Sequence, residues 1–269
     1  MLLTVQHQTR YTYSQPVRGV VQSHRLTPSK FDGQRCLNWQ VSVSDGIMGG
    51  SFRDGAGDFV QGWSVQGPVS EIVVMVQGQV ETSDTSGVLR GHREIVSPLC
   101  YLQWTMQTRA DVALGKLAEA SAKADGSLNS AHSLSAAVSE AIAYKPGATT
   151  AATTAAEALA LGEGVCQDHA HALIAAARHL GMPARYVTGY LHATEDDAPH
   201  EASHAWVEIW VEGLGWVGFD PANACCPDER YIRTGSGLDA RDAAPIRGTA
   251  RGVGAEDLDV AVAVQLNDQ

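Results

Sequence analysis

The sequence predicts an α+β protein: an N-terminal antiparallel β-sandwich over residues 1–105, then a helix-and-sheet core over residues 106–269. Three observations predict it. Up to about residue 105 the chain is rich in β-formers, several runs alternating apolar with polar residues, as strands with one wet face do. From Asp111 to Ala143 the composition turns to Ala, Leu, Lys, Glu and Ser with helical spacing. After residue 162 a helix is followed by three strand candidates, the order expected of an α+β unit. A length of 269 residues with 44% hydrophobic content suits two domains with real cores.

The first strand candidate is Leu3–Tyr13, followed by Val20–Gln22, Leu37–Val43 and Val69–Val76. Asp45-Gly46, Gly49-Gly50 and Asp54-Gly55 read as the turns between short antiparallel strands. Val112, Leu114 and Leu117, then Leu134, Val138 and Ile142, mark two helices separated at Gly126-Ser127, and Lys145-Pro146-Gly147 ends the second. An Ala/Thr-rich loop leads to a short helix at 155–161. Val165–Leu180 is a helix, with Gly181 placed for a left-handed C-terminal cap and Pro183 just beyond. Strands follow at Ala184–Leu191, Ala205–Val211 and Gly215–Phe219, and Val260–Val264 reads as a last strand.

Composition excludes several functions. A formal net charge of −11 repels phosphate backbones, so neither nucleic acid nor anionic lipid is an expected partner. No apolar run approaches the ~18 residues of a membrane span. The first ten residues lack the basic stretch and apolar core of a signal peptide, which predicts a cytoplasmic protein. Five cysteines, an odd number with no C-x-x-C pair, argue against a disulfide framework or a zinc knuckle.

One cysteine has company. Cys166 is the second residue of its predicted helix, where the macrodipole and unpartnered backbone N–H groups stabilise a thiolate and an oxyanion formed by its attack on a carbonyl. His204 opens a strand 38 residues on and is placed to take the thiol proton and return it to a leaving amine. Asp220 ends the next strand 16 residues later, where its carboxylate can fix the imidazole tautomer. The set works only in one hairpin register. If Val211 faces Gly215 across a three-residue turn Glu212-Gly213-Leu214, Asp220 lies opposite Trp206 and diagonal to His204, within ~7–8 Å. With Val211 facing Trp216, Asp220 moves to the opposite face of the sheet.

Four segments resemble a known family: Gly164-Val165-Cys166-Gln167-Asp168-His169-Ala170-His171, Gly181–Leu191, His204-Ala205-Trp206-Val207-Glu208, and Gly215–Asn223. They are similar to the bacterial transglutaminase-like proteins, often described as candidate cysteine proteases. Tyr11–Val17 and Arg25-Leu26-Thr27-Pro28 resemble the β-domain that precedes the core in that family. The resemblance implies a papain-like core with Cys166 as nucleophile, His204 as base and acid, and Asp220 as orienter. Ala222 departs from the Thr expected after Asp-Pro, and Cys225-Cys226 is unusual there.

The expected function is thiol-dependent acyl transfer from an amide, peptide or isopeptide carbonyl. A peptide or protein amide is the substrate, with no cofactor and no metal, and hydrolysis is favoured over transamidation. Two rivals remain: a catalytically silent binding module on the same fold, and an acyltransferase using a carrier thioester. The last needs a basic pocket for a phosphorylated carrier, and the sequence shows no basic cluster. Elsewhere the plainer readings prevail. Asp168 complements the dipole of its helix. His169 and His171 point to different faces, and His200 with His204 is a weak zinc pair. Trp206 shares the face of His204 and shields it. His192–Ser203, with Glu195-Asp196-Asp197, is a polar loop.

Overall fold

Alternating burial along Leu2–His24 (β1) shows one face of a long strand on a core. The computed structural model describes residues 1–124, 127–193 and 203–267. β1 runs antiparallel to Phe59–Thr82 (β4) along almost its whole length, and β4 carries Gln34–Val43 (β2) and Gly46–Arg53 (β3) on its other edge. The β1–β4 register breaks between Thr12 and Gly19. At this break Gly67 packs against the Val17 carbonyl, which a Cβ would meet at 2.3 Å, so only glycine fits the crossing. The halves on either side share one apolar core: Tyr11, Ile72 and Val74 from one, Val20, Trp63 and Val65 from the other. A single bent antiparallel sheet thus buries what the sequence suggests as two packed sheets. β3, with Gly49-Gly50 inside it, is an exposed edge strand without alternation, which is why it reads as turns.

The second half begins with Val112–Ser121 (α1), capped by Asp111, and Ser127–Ala141 (α2). A two-residue parallel pair, Ala143–Tyr144 (β5) with Glu163–Gly164 (β6), brackets Ala155–Leu161 (α3), which opens with a Thr154/Glu157 capping box. Cys166–His179 (α4) is buried almost all round, and its run of alanines lets the neighbouring elements approach closely. Gly181, at φ +74°, ends it as expected. Behind α4 stands a four-stranded sheet in the order Tyr231–Gly237 (β10), Ala184–Leu191 (β7), Ser203–Val211 (β8), Gly215–Phe219 (β9). Ala205, Val207 and Ile209 of β8 pack on α4, and His204, Trp206 and Glu208 occupy its other face.

The chain then returns. Ile246–Ala250 (β11) and Glu256–Leu266 (β12) follow the core in sequence, yet both pair with β1 and complete the six-stranded sheet. Buried ions tie the two halves further. Arg233 of β10 contacts Asp58 at 2.6 Å and Glu208 at 2.9 Å, and Arg185 of β7 contacts Glu208 at 2.7 Å and Glu94 at 2.5 Å. All five side chains are nearly or wholly buried, and the arginines are each doubly paired, as such burial requires.

Candidate active site

Val165 is the extended N-cap of α4, so Cys166 is the first helical residue, one place earlier than the sequence suggests. Its own amide and that of Gln167 precede the first intrahelical bonds and remain available as donors. Asp168 secures this end: Oδ2 accepts from the Val165 amide at 2.8 Å and from the Thr149 hydroxyl at 2.6 Å. It therefore closes the helix N-terminus rather than facing a substrate. His169 ties the same turn to the end of α2, its ring nitrogens lying 2.9 Å from the Val165 carbonyl and 2.7 Å from that of Ile142. His171, on another side of the helix, receives the Ala240 amide.

The hairpin register is the one the site requires. Val211 pairs with Gly215, and Glu212-Gly213-Leu214 forms the turn, with Gly213 at φ +82° and Gly215 at φ +86°. Val207 faces Phe219, so the next residue on β9, Asp220, comes opposite Trp206 and reaches diagonally to His204. His204 Nε2 lies 2.6 Å from Asp220 Oδ2, and both residues are buried. Cys166 also stands near enough to the ring to raise its pKa. With Nε2 turned to Asp220, Nδ1 is the nitrogen left for the sulfur. The structure thus joins His204 to Asp220 by a direct hydrogen bond and sets Cys166 near the same ring.

Charge follows from this geometry. Burial by itself would hold the His204 ring neutral. The Asp220 carboxylate, by hydrogen bond and charge, together with nearby Cys166, outweighs it and raises the imidazole pKa to about 10, which favours the imidazolium at neutral pH. Asp220 is likewise buried, which would raise its pKa, but hydrogen bonds from His204, Asn223 and Tyr231 lower it. Five donors meet this carboxylate. Oδ2 receives His204, Asn223 Nδ2 at 2.7 Å and the Tyr231 hydroxyl at 2.7 Å, and Oδ1 receives the amides of Ala222 and Asn223 at 3.0 and 3.3 Å. Trp206 stacks on the His204 ring at 6.4 Å between centroids, and Tyr231 meets it edge-on at 5.9 Å. Together they keep water from the His–Asp pair.

Asn223 and Tyr231 escaped the sequence reading as members of the site. Asn223, three residues past Asp220, had a local signal, since an Asp followed by a tight turn draws such neighbours. Tyr231 comes from β10, a fully buried strand with two glycines and an arginine that shows no period-2 pattern. Cys225 lies 3.3 Å from the Tyr231 hydroxyl and forms an isolated two-way backbone bridge with Asp220. It and Cys226 are free thiols, and burial raises the pKa of each. His200 and Glu195-Asp196-Asp197 lie outside the described residues. No cluster of three metal-ligating side chains occurs among the described residues, and no described helix is long and apolar enough to cross a membrane.

Residues 115–221 match the model of the transglutaminase-like superfamily core, and residues 3–81 match the bacterial transglutaminase-like N-terminal region. The core match stops at Pro221, just before Ala222. An uncharacterized protein of Mycobacterium leprae is 30% identical, over 97% of this chain and 98% of its own length. A protein-glutamine gamma-glutamyltransferase of Pseudomonas aeruginosa is 34% identical over 24% of this chain and 11% of its own length. A crystal structure of a candidate cysteine protease from Cytophaga hutchinsonii superposes with a TM-score of 0.75 at 21% identity, covering 100% of this chain and 92% of that one, which establishes the shared α+β fold. With both halves matched and a relative aligned almost end to end, the chain belongs to the transglutaminase-like superfamily.

Proposed function

We propose that this protein is a thiol-dependent acyl-transfer enzyme that opens amide bonds through a Cys166 thioester and passes the acyl group to water. The buried His204–Asp220 hydrogen bond, with Cys166 at the start of α4 near the same ring, is the observation that carries this reading. The Cys166 sulfur attacks the carbonyl carbon, and the Cys166 amide at the helix N-terminus donates to the developing oxyanion. The imidazolium of His204 gives its proton to the departing amine as the carbon–nitrogen bond breaks. Water then attacks the thioester, His204 takes the water proton, and the sulfur leaves with the carboxylic acid as the second product. Asp220 stays ionised throughout, holding the ring with Nε2–H toward itself and Nδ1 toward sulfur. Water exceeds any competing amine in concentration, which favours hydrolysis, and the free thiols suit a reducing, cytoplasmic setting.

The test is an amide panel of N-acylated glutaminyl and simple peptides, assayed for released amine or ammonia, with the thioester trapped by acid and weighed as intact protein. The expected result is an acyl adduct on Cys166, product without added amine, and neither in Cys166→Ala. Equal turnover by the parent and Cys166→Ala, or no adduct on any amide, would overturn the enzyme reading in favour of a binding module.

A further inference from the structure

The carrier-thioester rival fails in the sequence for want of a basic cluster, because the lysines and arginines are scattered along an acidic chain. Folding gathers some of them. Lys30, Arg53, His92 and Arg93 line one hollow of about 430 Å³ together with Gly57 and Gly91, at the junction of the N-terminal sheet with the segment that leads into the core. Among the described residues no acidic side chain lines it. The acids nearest in sequence are engaged elsewhere: Asp54 with Arg25, Asp58 with Arg233, and Glu94 with Arg185 and Trp216. Asp32 lies against Gly91 without lining the hollow. Among the described residues, Lys30, Arg53 and Arg93 have no ion-pair partner.

The hollow is also braced. His92 bridges the Lys30 and Ala56 carbonyls at 3.3 and 2.7 Å, and Arg53 donates one guanidinium N–H to the Gly57 carbonyl at 2.8 Å, leaving its other donors free. Gly57 at φ +83° and Gly91 at φ +72° adopt left-handed turns, and Gly57 must stay bare because a Cβ would meet the Arg93 carbonyl at 2.1 Å. The amides of Gly91, His92 and Arg93 have no protein acceptor among the described residues. Three unpaired cations around free amides, in a protein of net charge −11, call for an oxyanion.

We propose that this hollow is a binding site for the dianionic phosphate of a small phosphomonoester. Two arginine forks and a lysine match a tetrahedral group with three terminal oxygens better than a single carboxylate. The site is independent of the reaction at Cys166.

The experiment is calorimetric titration of the intact protein at physiological ionic strength with inorganic phosphate and with glycerol 3-phosphate. Vesicles of phosphatidylglycerol, a diester source, form a third arm. Arg93→Gln and Lys30→Gln are compared with Arg18→Gln, which removes an exposed charge elsewhere, and circular dichroism checks that each variant is folded. Saturable binding of the monoesters, weakened about tenfold or more in Arg93→Gln and unchanged in Arg18→Gln, is the expected result. Absence of saturation, an equal loss in Arg18→Gln, or binding only to vesicles would overturn the proposal. Cys166→Ala must bind as the parent does, so failure here leaves the acyl-transfer reading standing, and the reverse.

Discussion

Replacing Asp220 by Asn removes one charge while keeping the shape of the side chain, and the structure dictates what must go wrong. If the amide NH₂ takes the place of Oδ2, it faces three donors, from His204, Asn223 and Tyr231. His204 Nε2 must then accept, which moves the ring proton to Nδ1, pointing at sulfur in the wrong tautomer. If the amide flips, its NH₂ meets the two backbone amides that now serve Oδ1. Either way the imidazolium loses its counter-ion. His204 is raised from 6.5 to about 10, a span of roughly 5 kcal/mol at 1.36 kcal/mol per unit, shared between Asp220 and Cys166. Assigning about half to Asp220 gives roughly 2 kcal/mol, or a ~30-fold smaller ratio of imidazolium to imidazole at any given pH. The assay is long-range ¹H–¹⁵N NMR of the His204 ring across a pH series. Asp220→Asn should bring the ring titration down by about two units or more and place the proton on Nδ1. A ring that still titrates near its parent value, with Nε2 protonated, would refute the reasoning.

Three other outcomes follow from the same charges. Asp58→Ala strips one partner from buried Arg233 and should cost ~3–5 kcal/mol in urea unfolding. Because Glu208 keeps Arg185, the double variant Asp58→Ala/Arg233→Met should recover much of that loss, and a double variant no better than the single one would sink the ion-pair account. Burial lowers His7, His24 and His171 to about 4, so these rings fold neutral and their stabilisation, complete above pH 6.5, drains away as pH falls toward 4. Unfolding free energy measured at pH 7 and pH 5 should drop by a few kcal/mol, and a flat profile would contradict it. His204 has the opposite sign: its raised pKa stabilises the fold fully below pH 6.5, and that share is lost as pH climbs to about 10, so the stability of His204→Gln should be less sensitive to alkali than the parent's.

Local chemistry announced the elements that the sequence reading placed well. Gly181 stops α4, and the three-residue turn at Gly213 dictates the register that brings Asp220 to His204. Long-range pairing was not legible. β12 reads as a strand, but nothing local says that its partner is β1, some 250 residues earlier. β3 has no buried face to impose a period, and β10 is buried on both faces, so alternation fails in each for opposite reasons. The basic hollow joins Lys30, Arg53 and Arg93 across two turns, and the acids beside them in sequence disguise it.

The account rests on Cys166 acting as a nucleophile activated by His204. The most direct test is the rate of iodoacetamide labelling of each cysteine across pH, located by mass spectrometry, in the parent and in His204→Ala. Cys36, Cys100, Cys225 and Cys226 are internal controls in the same chain. The account predicts rapid labelling of Cys166 below pH 7, well ahead of the other four, and a slow Cys166 in His204→Ala. Labelling of Cys166 no faster than its neighbours, or unaffected by the loss of His204, would contradict it.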